Sequence, residues 1–159
     1  MKASRKLTLK LAAAADAGLI AMMSRELIET GLPWSWTPER VARNLAQADT
    51  LVLTARDGAP LAGFAIMQFG EERAHLSLLA VRPDCQRQGV ARRMLEWLTE
   101  SALTAGIASI HLELRETNLA ARRFYLDQGF AETVRIPGYY RGRETAVRML
   151  RDIRVKPQD

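Results

Sequence analysis

Cysteine, histidine and lysine are scarce in this chain of 159 residues, which holds one, two and four of them. The lone cysteine, Cys85, excludes an internal disulfide and any multi-cysteine metal site. His75 and His111 are too few for a histidine-built metal centre, so no metal is expected. Long apolar runs are missing as well. Leu11–Ala15 and Leu61–Met67 fall far short of the roughly 20 residues a membrane helix needs, and no membrane partner is expected. Met1-Lys2-Ala3-Ser4-Arg5 leads into a charged, alternating segment rather than the apolar stretch of a signal peptide. Repeats, low-complexity tracts and long linkers are absent. These absences predict a soluble cytoplasmic protein, with residues 1–154 forming one domain and 155–159 a short tail.

Arginine is what the chain has in excess. It supplies 19 of the 23 basic residues in a chain of net charge +5 and pI near 9.9. Arg82, Arg87, Arg92 and Arg93 fall within twelve residues against one acid, Asp84. A second cluster runs through Arg135, Arg141, Arg143, Arg148, Arg151 and Arg154. The planar guanidinium fork suits phosphate better than an ammonium does. Composition alone leaves open nucleic acid, a phosphorylated cofactor, an acidic protein, or a merely solvated basic surface.

Residues 5–10 alternate and suit a strand. Ala13–Thr30 reads as a helix with Leu19, Met22, Met23 and Leu27 at helical spacing, ended by Gly31. Thr37-Pro38-Glu39 opens a second helix running to about Ala48. Leu51–Arg56 and Leu61–Phe69 form strands joined across Asp57-Gly58, and Arg73–Val81 extends that antiparallel set. A long amphipathic helix follows from Gly89 to about Gly106, with Val90, Met94, Trp97, Leu98 and Leu103 inward. Ser109–Leu114 is a strand, Asn118 caps a helix to Gln128, and Gly129 closes it. Phe130–Ile136 and Thr145–Ile153 make a final antiparallel pair. The order β α α β β β α β α β β implies an α/β (α+β) fold: a mixed, mainly antiparallel sheet of about seven strands with helices on both faces. The connection from Val81 to Ser109 is long enough for a right-handed crossover between parallel strands.

The most informative stretch is Leu78-Leu79-Ala80-Val81-Arg82-Pro83-Asp84-Cys85-Gln86-Arg87-Gln88-Gly89-Val90-Ala91-Arg92. An apolar strand ends, a basic loop follows, and a helix opens on small residues. The first N–H groups of a helix have no intrahelical acceptor and carry the positive end of its dipole. Gly89 and Ala91 leave room for a pyrophosphate to lie on them. The spacing is neither the Rossmann GxGxxG nor the P-loop. A plain helix start is the competing reading, and the flanking arginines count against it.

Gln86-x-x-Gly89-x-Ala91 after a strand resembles the acetyl-CoA pyrophosphate motif of the GNAT N-acetyltransferases. His111-Leu112-Glu113-Leu114-Arg115-Glu116-Thr117-Asn118, Ala120-Ala121 and Phe124-Tyr125-Leu126-Asp127-Gln128-Gly129-Phe130 are similar to the strand-then-helix segment of the same superfamily. Gly138-Tyr139-Tyr140 and Glu144–Met149 resemble its closing strand. Within the superfamily, the similarity is greatest to the bacterial ribosomal-protein N-terminal-alanine acetyltransferase branch. It is strong over 76–150 and weaker over 1–75, where Leu32-Pro33-Trp34-Ser35 matches an F-P-W-S segment. Ala91 stands where glycine is commoner, and Cys85 where tyrosine or tryptophan is usual. Cys85 reads as a small filler, not a nucleophile.

Ile110-His111-Leu112-Glu113-Leu114-Arg115 supports the resemblance independently. A central strand covered on both faces should be apolar throughout, so a polar face marks a cavity. Glu113 is therefore a candidate general base acting through water, with a salt bridge to a neighbouring arginine as the alternative. His75 and His111 are expected to pack or to line the cavity.

The resemblance implies the remaining roles. Tyr125 protonates the departing CoA thiolate, although a half-buried packing tyrosine would look the same. Leu79, Ala80 and Val81 hold the pantetheine arm by main-chain bonds, and an N–H there stabilises the oxyanion. Arg87, Gln88, Gly89, Val90, Ala91 and Arg92 hold the pyrophosphate, and Asn118 joins a helix cap to a cofactor contact. The expected reaction is direct acetyl transfer from acetyl-CoA to a primary amine. The preferred acceptor is a peptide or protein N-terminus, entering past Trp34, Tyr139 and Tyr140. A small-molecule amine is the second reading, and a basic nucleic-acid-binding module the third. The last lacks any helix-turn-helix, RNP or zinc pattern. The aromatic loops would equally suit contact with a second copy of the chain.

Overall fold

The computed structural model describes residues 6–154. Arg5, the residues before it, and the expected tail 155–159 lie outside the described residues. The strands are β1 (Leu7–Leu11), β2 (Thr50–Asp57), β3 (Leu61–Phe69), β4 (Arg73–Val81), β5 (Ser109–Arg115), β6 (Ala131–Tyr140) and β7 (Glu144–Asp152). The helices are α1 (Ala17–Leu27), α2 (Pro38–Leu45), α3 (Val90–Thr104) and α4 (Leu119–Asp127). Their order along the chain is the expected one, and the sheet runs β1-β2-β3-β4-β5-β7-β6. Its only parallel neighbours with a described register are β4 and β5, paired over Arg73–His75 and Ser109–His111. None of the helices formed by the described residues is long and apolar enough to cross a membrane.

The chain packs as two compact units. One comprises the chain up to Gln68 together with Leu78–Leu98, the other Phe69–Ser77 with the chain from Thr99 onward. In the first unit, β3 is buried along almost its whole length, as its unbroken apolar run requires. Phe64 and Ile66 face a core built with Ile20 and Ala21 of α1, Val41 of α2 and Leu78 of β4. Gly63 lies on the opposite face, where a Cβ would stand 2.7 Å from the Ala80 carbonyl and 3.1 Å from the Met94 side chain. Only glycine lets β4 and α3 come this close.

Helix α1 is shorter than its alanine-rich sequence suggests. Asp16 accepts from the Ala13 N–H at 2.8 Å and pairs with Arg56, which fixes a tight 3₁₀ turn at Ala14–Asp16 and delays the helix to Ala17. Its buried face is Ala17, Ile20, Ala21 and Ser24, so Leu19 and Met22 face solvent instead of the core. Small residues permit close packing, and the phase follows them. Helix α3 is similar: Leu95 and Ala102 share its buried face with Val90, Met94 and Leu98, Trp97 is half-buried, and Leu103 is exposed. Thr37 caps α2 as expected, its Oγ1 accepting from the Arg40 N–H at 3.3 Å.

In the second unit β5 pairs antiparallel with β7, and β7 with β6. Strand β6 extends through Tyr140, four residues past the expected Ile136, because two register shifts let it continue beside β7 through Pro137 and Gly138. Asn118 caps α4 by accepting from the Ala121 N–H at 3.2 Å.

Gly63→Ala should cost about 1–3 kcal/mol, because its methyl meets backbone that cannot swing away. Urea unfolding would show this as a lower midpoint with an unchanged m-value. An unshifted midpoint would contradict the close packing.

Candidate active site

Strand β5 alternates strictly. Ile110, Leu112 and Leu114 are buried, while His111, Glu113 and Arg115 are half-buried on the other face. That is the polar face the sequence marks. Cross-strand register places Arg148 of β7 directly opposite Glu113. Arg148 Nε donates to Glu113 Oε1 at 3.0 Å, and His75 Nε2 contacts Glu113 Oε2. Both oxygens are thus held, and the arginine salt bridge anticipated as an alternative is present. His75 is not a mere packing residue: its Nδ1 lies 3.3 Å from Ser77 Oγ while Nε2 meets the carboxylate. Sequence reasoning missed both partners, since they lie 38 and 35 residues away and only the strand register brings them together.

The His75 hydrogen bond holds the Glu113 carboxyl below the ordinary glutamate range; burial acts against it, and the His75 charge with the Arg148 hydrogen bond and charge add to the lowering. His111 is lowered as well. Burial, then the Arg73 and His75 charges, lower its imidazole and keep it neutral, and Ser109 Oγ lies 2.8 Å from its Nε2.

Tyr125 of α4 is buried, its ring edge-on to Phe124 at 5.1 Å and to Phe130 at 5.3 Å. Burial alone raises its hydroxyl well above the ordinary tyrosine range, so it stays protonated at neutral pH. Tyr139 and Tyr140 close β6 with their rings edge-on at 4.9 Å. Burial, then Tyr139 and Glu113, push the Tyr140 hydroxyl up to about 12.

The other candidate residues lie on the first unit, apart from Asn118 at the start of α4. Leu79, Ala80 and Val81 end β4 beyond the register it shares with β5. Gln86 Nε2 donates to the Val81 carbonyl at 3.1 Å, tying the loop to the strand. Arg87 and Gly89 both take left-handed backbone, with φ of 61° and 80°. The first i→i−4 bond of α3 runs from the Arg93 N–H to the Gly89 carbonyl at 3.0 Å, so the Val90, Ala91 and Arg92 N–H groups have no acceptor within the helix. A Cβ at Gly89 would meet nothing within 4 Å, so the space beside the start of the helix at Gly89 is open. Arg87 and Arg92 are exposed, and Cys85 is fully buried, in keeping with a filler. These features fit a pyrophosphate.

Trp34 departs from the exposed-aromatic reading of its loop. Its Nε1 donates to the Ala21 carbonyl at 3.2 Å, Arg25 covers its ring at 5.1 Å, and it packs half-buried against the core. Trp36 is buried beneath Arg40. Buried Glu29 anchors the loop, accepting from the Ser35 N–H at 2.7 Å, the Ser35 hydroxyl at 2.8 Å, the Ser24 hydroxyl at 2.8 Å and the Trp36 N–H at 3.3 Å. Burial acts to raise the Glu29 carboxyl, but these donors together outweigh it and lower the net value.

The second unit thus carries a half-buried ionised carboxylate and a protonated buried tyrosine, and the first a helix start with free N–H groups. Comparison with known proteins is more specific. The profile of the acetyltransferase (GNAT) family matches residues 20–130. The ribosomal protein bS18-alanine N-acetyltransferase of Salmonella typhimurium is 35% identical over 138 residues, covering 77% of this chain and 92% of its own. Its Escherichia coli K12 counterpart is 36% identical over 117 residues, 72% of this chain and 78% of its own. The crystal structure of the ribosomal-protein-S18-alanine N-acetyltransferase from Escherichia coli superposes with a TM-score of 0.81 at 30% identity, over 97% of this chain and 98% of that one. A Salmonella typhimurium acetyltransferase solved with its cofactor acetyl-CoA shares the fold, with a TM-score of 0.76 at 21% identity over 92% of this chain and 94% of that one. This chain belongs to the GNAT family and is an acetyltransferase whose co-substrate is acetyl-CoA.

Because the Glu113 carboxyl is depressed, its ionised form contributes stability above pH about 4.5, which is lost as pH falls through its native value. Glu113→Gln should flatten this acid limb, so the drop in urea midpoint from pH 7 to pH 4 becomes smaller than in the parent. Equal drops would contradict the ion-paired carboxylate.

Proposed function

We propose that the acceptor is the α-amine at the N-terminus of a protein, with Glu113 as general base and Tyr125 as general acid. One observation carries this reading: Glu113 is paired on both oxygens, and its carboxyl lies below the ordinary range. Such a carboxylate is a weak base. It suits an α-amine, with a pKa near 7.7–8.0, far better than a lysine amine near 10.4, because a usable share of the former is already neutral. The names of the relatives at 35% and 36% identity, which specify an alanine N-terminus, support the same acceptor. A cytoplasmic setting, as the sequence suggests, would bring acetyl-CoA and new protein N-termini together.

In this reading acetyl-CoA, when bound, supplies the acetyl group and a thiolate leaving group. The Val90, Ala91 and Arg92 N–H groups, with Gln88, Gly89 and the Arg87 and Arg92 side chains, hold its pyrophosphate. Leu79, Ala80 and Val81 hold the pantetheine arm through main-chain groups that β5 does not use, and Asn118 adds a contact. An N–H of this strand end stabilises the developing oxyanion. A water between the amine and Glu113 takes the amine proton to the carboxylate. The amine nitrogen bonds to the acetyl carbon, the carbon–sulfur bond breaks, and Tyr125 returns a proton to sulfur. Tyr139 and Tyr140, with the Trp34 loop, border the acceptor's path. Because Trp34 also packs against the core, Tyr139 is the cleaner site for testing acceptor contacts.

Glu113→Gln should lower kcat about 10²–10⁴-fold, with partial recovery as pH rises and more amine becomes neutral. Tyr125→Phe should slow turnover without that recovery, since it withholds a proton that alkali cannot supply. Initial rates from pH 6 to pH 9.5 against an N-terminal alanine peptide separate the two roles, and full activity in both variants would refute the assignment. CoA should raise the melting temperature of the parent chain by mass action, and Gly89→Glu, which sets a carboxylate over the open helix start, should abolish that rise. A persisting rise would exclude the loop.

A further inference from the structure

Strand β4 alternates as β5 does. Ala74, Leu76 and Leu78 are buried, while His75 and Ser77 are half-buried on the other face. The parallel register sets His75 beside His111, so Glu113 stands two residues further along the same face of β5. Each histidine has its own partner. His111 Nε2 lies 2.8 Å from Ser109 Oγ, whereas His75 Nε2 contacts Glu113 Oε2. An ionised carboxylate oxygen only accepts, so Nε2 of a neutral His75 carries the proton. Nδ1 is then the acceptor, and Ser77 Oγ, 3.3 Å away, donates to it. A line of donors thus runs from Ser77 through the imidazole to the carboxylate. The Glu113 side chain is only 11% exposed against 42% for His75, so the carboxylate relies on protein partners more than on water to hold its place.

We propose that His75 is a positioning residue for the acetyl transfer: its Nε2–H holds Glu113 Oε2 and thereby aims the carboxylate at the proton it removes. This rests on the reading of Glu113 as general base. A carboxylate offers about four lone-pair sites. Arg148 Nε takes one on Oε1 and His75 takes one on Oε2, which fixes the direction of those left over. Without the imidazole the carboxyl keeps Arg148 alone and pivots about that bond. A misplacement of about 1 Å can cost about 10²-fold in rate. The groups proposed to hold acetyl-CoA are other residues, so the effect of His75 falls on kcat and not on co-substrate binding.

The test uses the full chain with acetyl-CoA and a peptide beginning with alanine. His75→Ala should lower kcat at least about tenfold, while the KM for acetyl-CoA and the CoA-induced rise in melting temperature stay close to those of the parent. His75→Leu, which keeps bulk but cannot donate, serves if the alanine variant fails to fold. His75→Gln, whose amide nitrogen sits as far along the side chain as Nε2, should recover most of the lost kcat. In a Glu113→Gln chain, His75→Ala should cost nothing further, because no carboxylate remains to be aimed. A merely structural histidine would instead add its loss in both backgrounds. That additive result, an unrecovered kcat in His75→Gln, or a kcat unchanged or raised in both His75→Ala and His75→Leu would overturn the positioning role. An impaired Glu113→Gln beside fully active His75 variants would remove His75 alone and leave the base standing. Full activity in Glu113→Gln would overturn both.

Discussion

The pairing of Glu113 with Arg148 and His75 is the interaction on which the polar face of β5, and the function proposed for it, depends. A carboxylate half-buried on a central strand loses hydration, and left alone it would take up a proton. A guanidinium on one oxygen and an imidazole on the other keep it ionised and fix its orientation. The same partners weaken it as a base. With Glu113 as the base, as proposed, this pairing would favour amines already partly neutral at physiological pH, and the register that sets Arg148 opposite Glu113 would bear on acceptor choice.

Other parts of the fold supply what a weak base needs. Tyr125 is held protonated by burial among Phe124 and Phe130, as the general-acid role proposed for it requires. Gly63 lets the end of β4 and the first turns of α3 pack closely, which sets the strand end and helix start proposed to hold the co-substrate. Glu29 gathers four donors from Ser24, Ser35 and Trp36 and ties the α1–α2 connection to the end of α1. Each is a polar or steric constraint within an apolar setting, and each serves placement more than stability.

Much of this was legible in the residues. The seven strands and four helices follow from alternation, helical spacing and caps, and the unbroken apolar run of β3 and the polar face of β5 pointed to buried and cavity-facing strands. Helix phase was harder. Leu19, Met22 and Leu103 are large apolar residues that face solvent, because Ala17, Ala21 and Ala102 provide the close contacts on the buried side. The partners of Glu113 could not be read, since cross-strand register is a property of the folded sheet and not of local sequence. Trp34 shows the reverse error: a loop rich in aromatics suggested an exposed surface, whereas a hydrogen bond to Ala21 and the Glu29 anchor draw the indole inward.

The central claim is that acetyl-CoA and Glu113 serve an α-amine. It is tested most directly by locating the acetyl group on a peptide that offers both an N-terminal alanine and an internal lysine, using fragment mass spectrometry after turnover by the parent chain. The account predicts acetyl on the α-nitrogen alone, with no product when that nitrogen is blocked. Acetyl on the lysine of the blocked peptide, at a comparable rate, would contradict it.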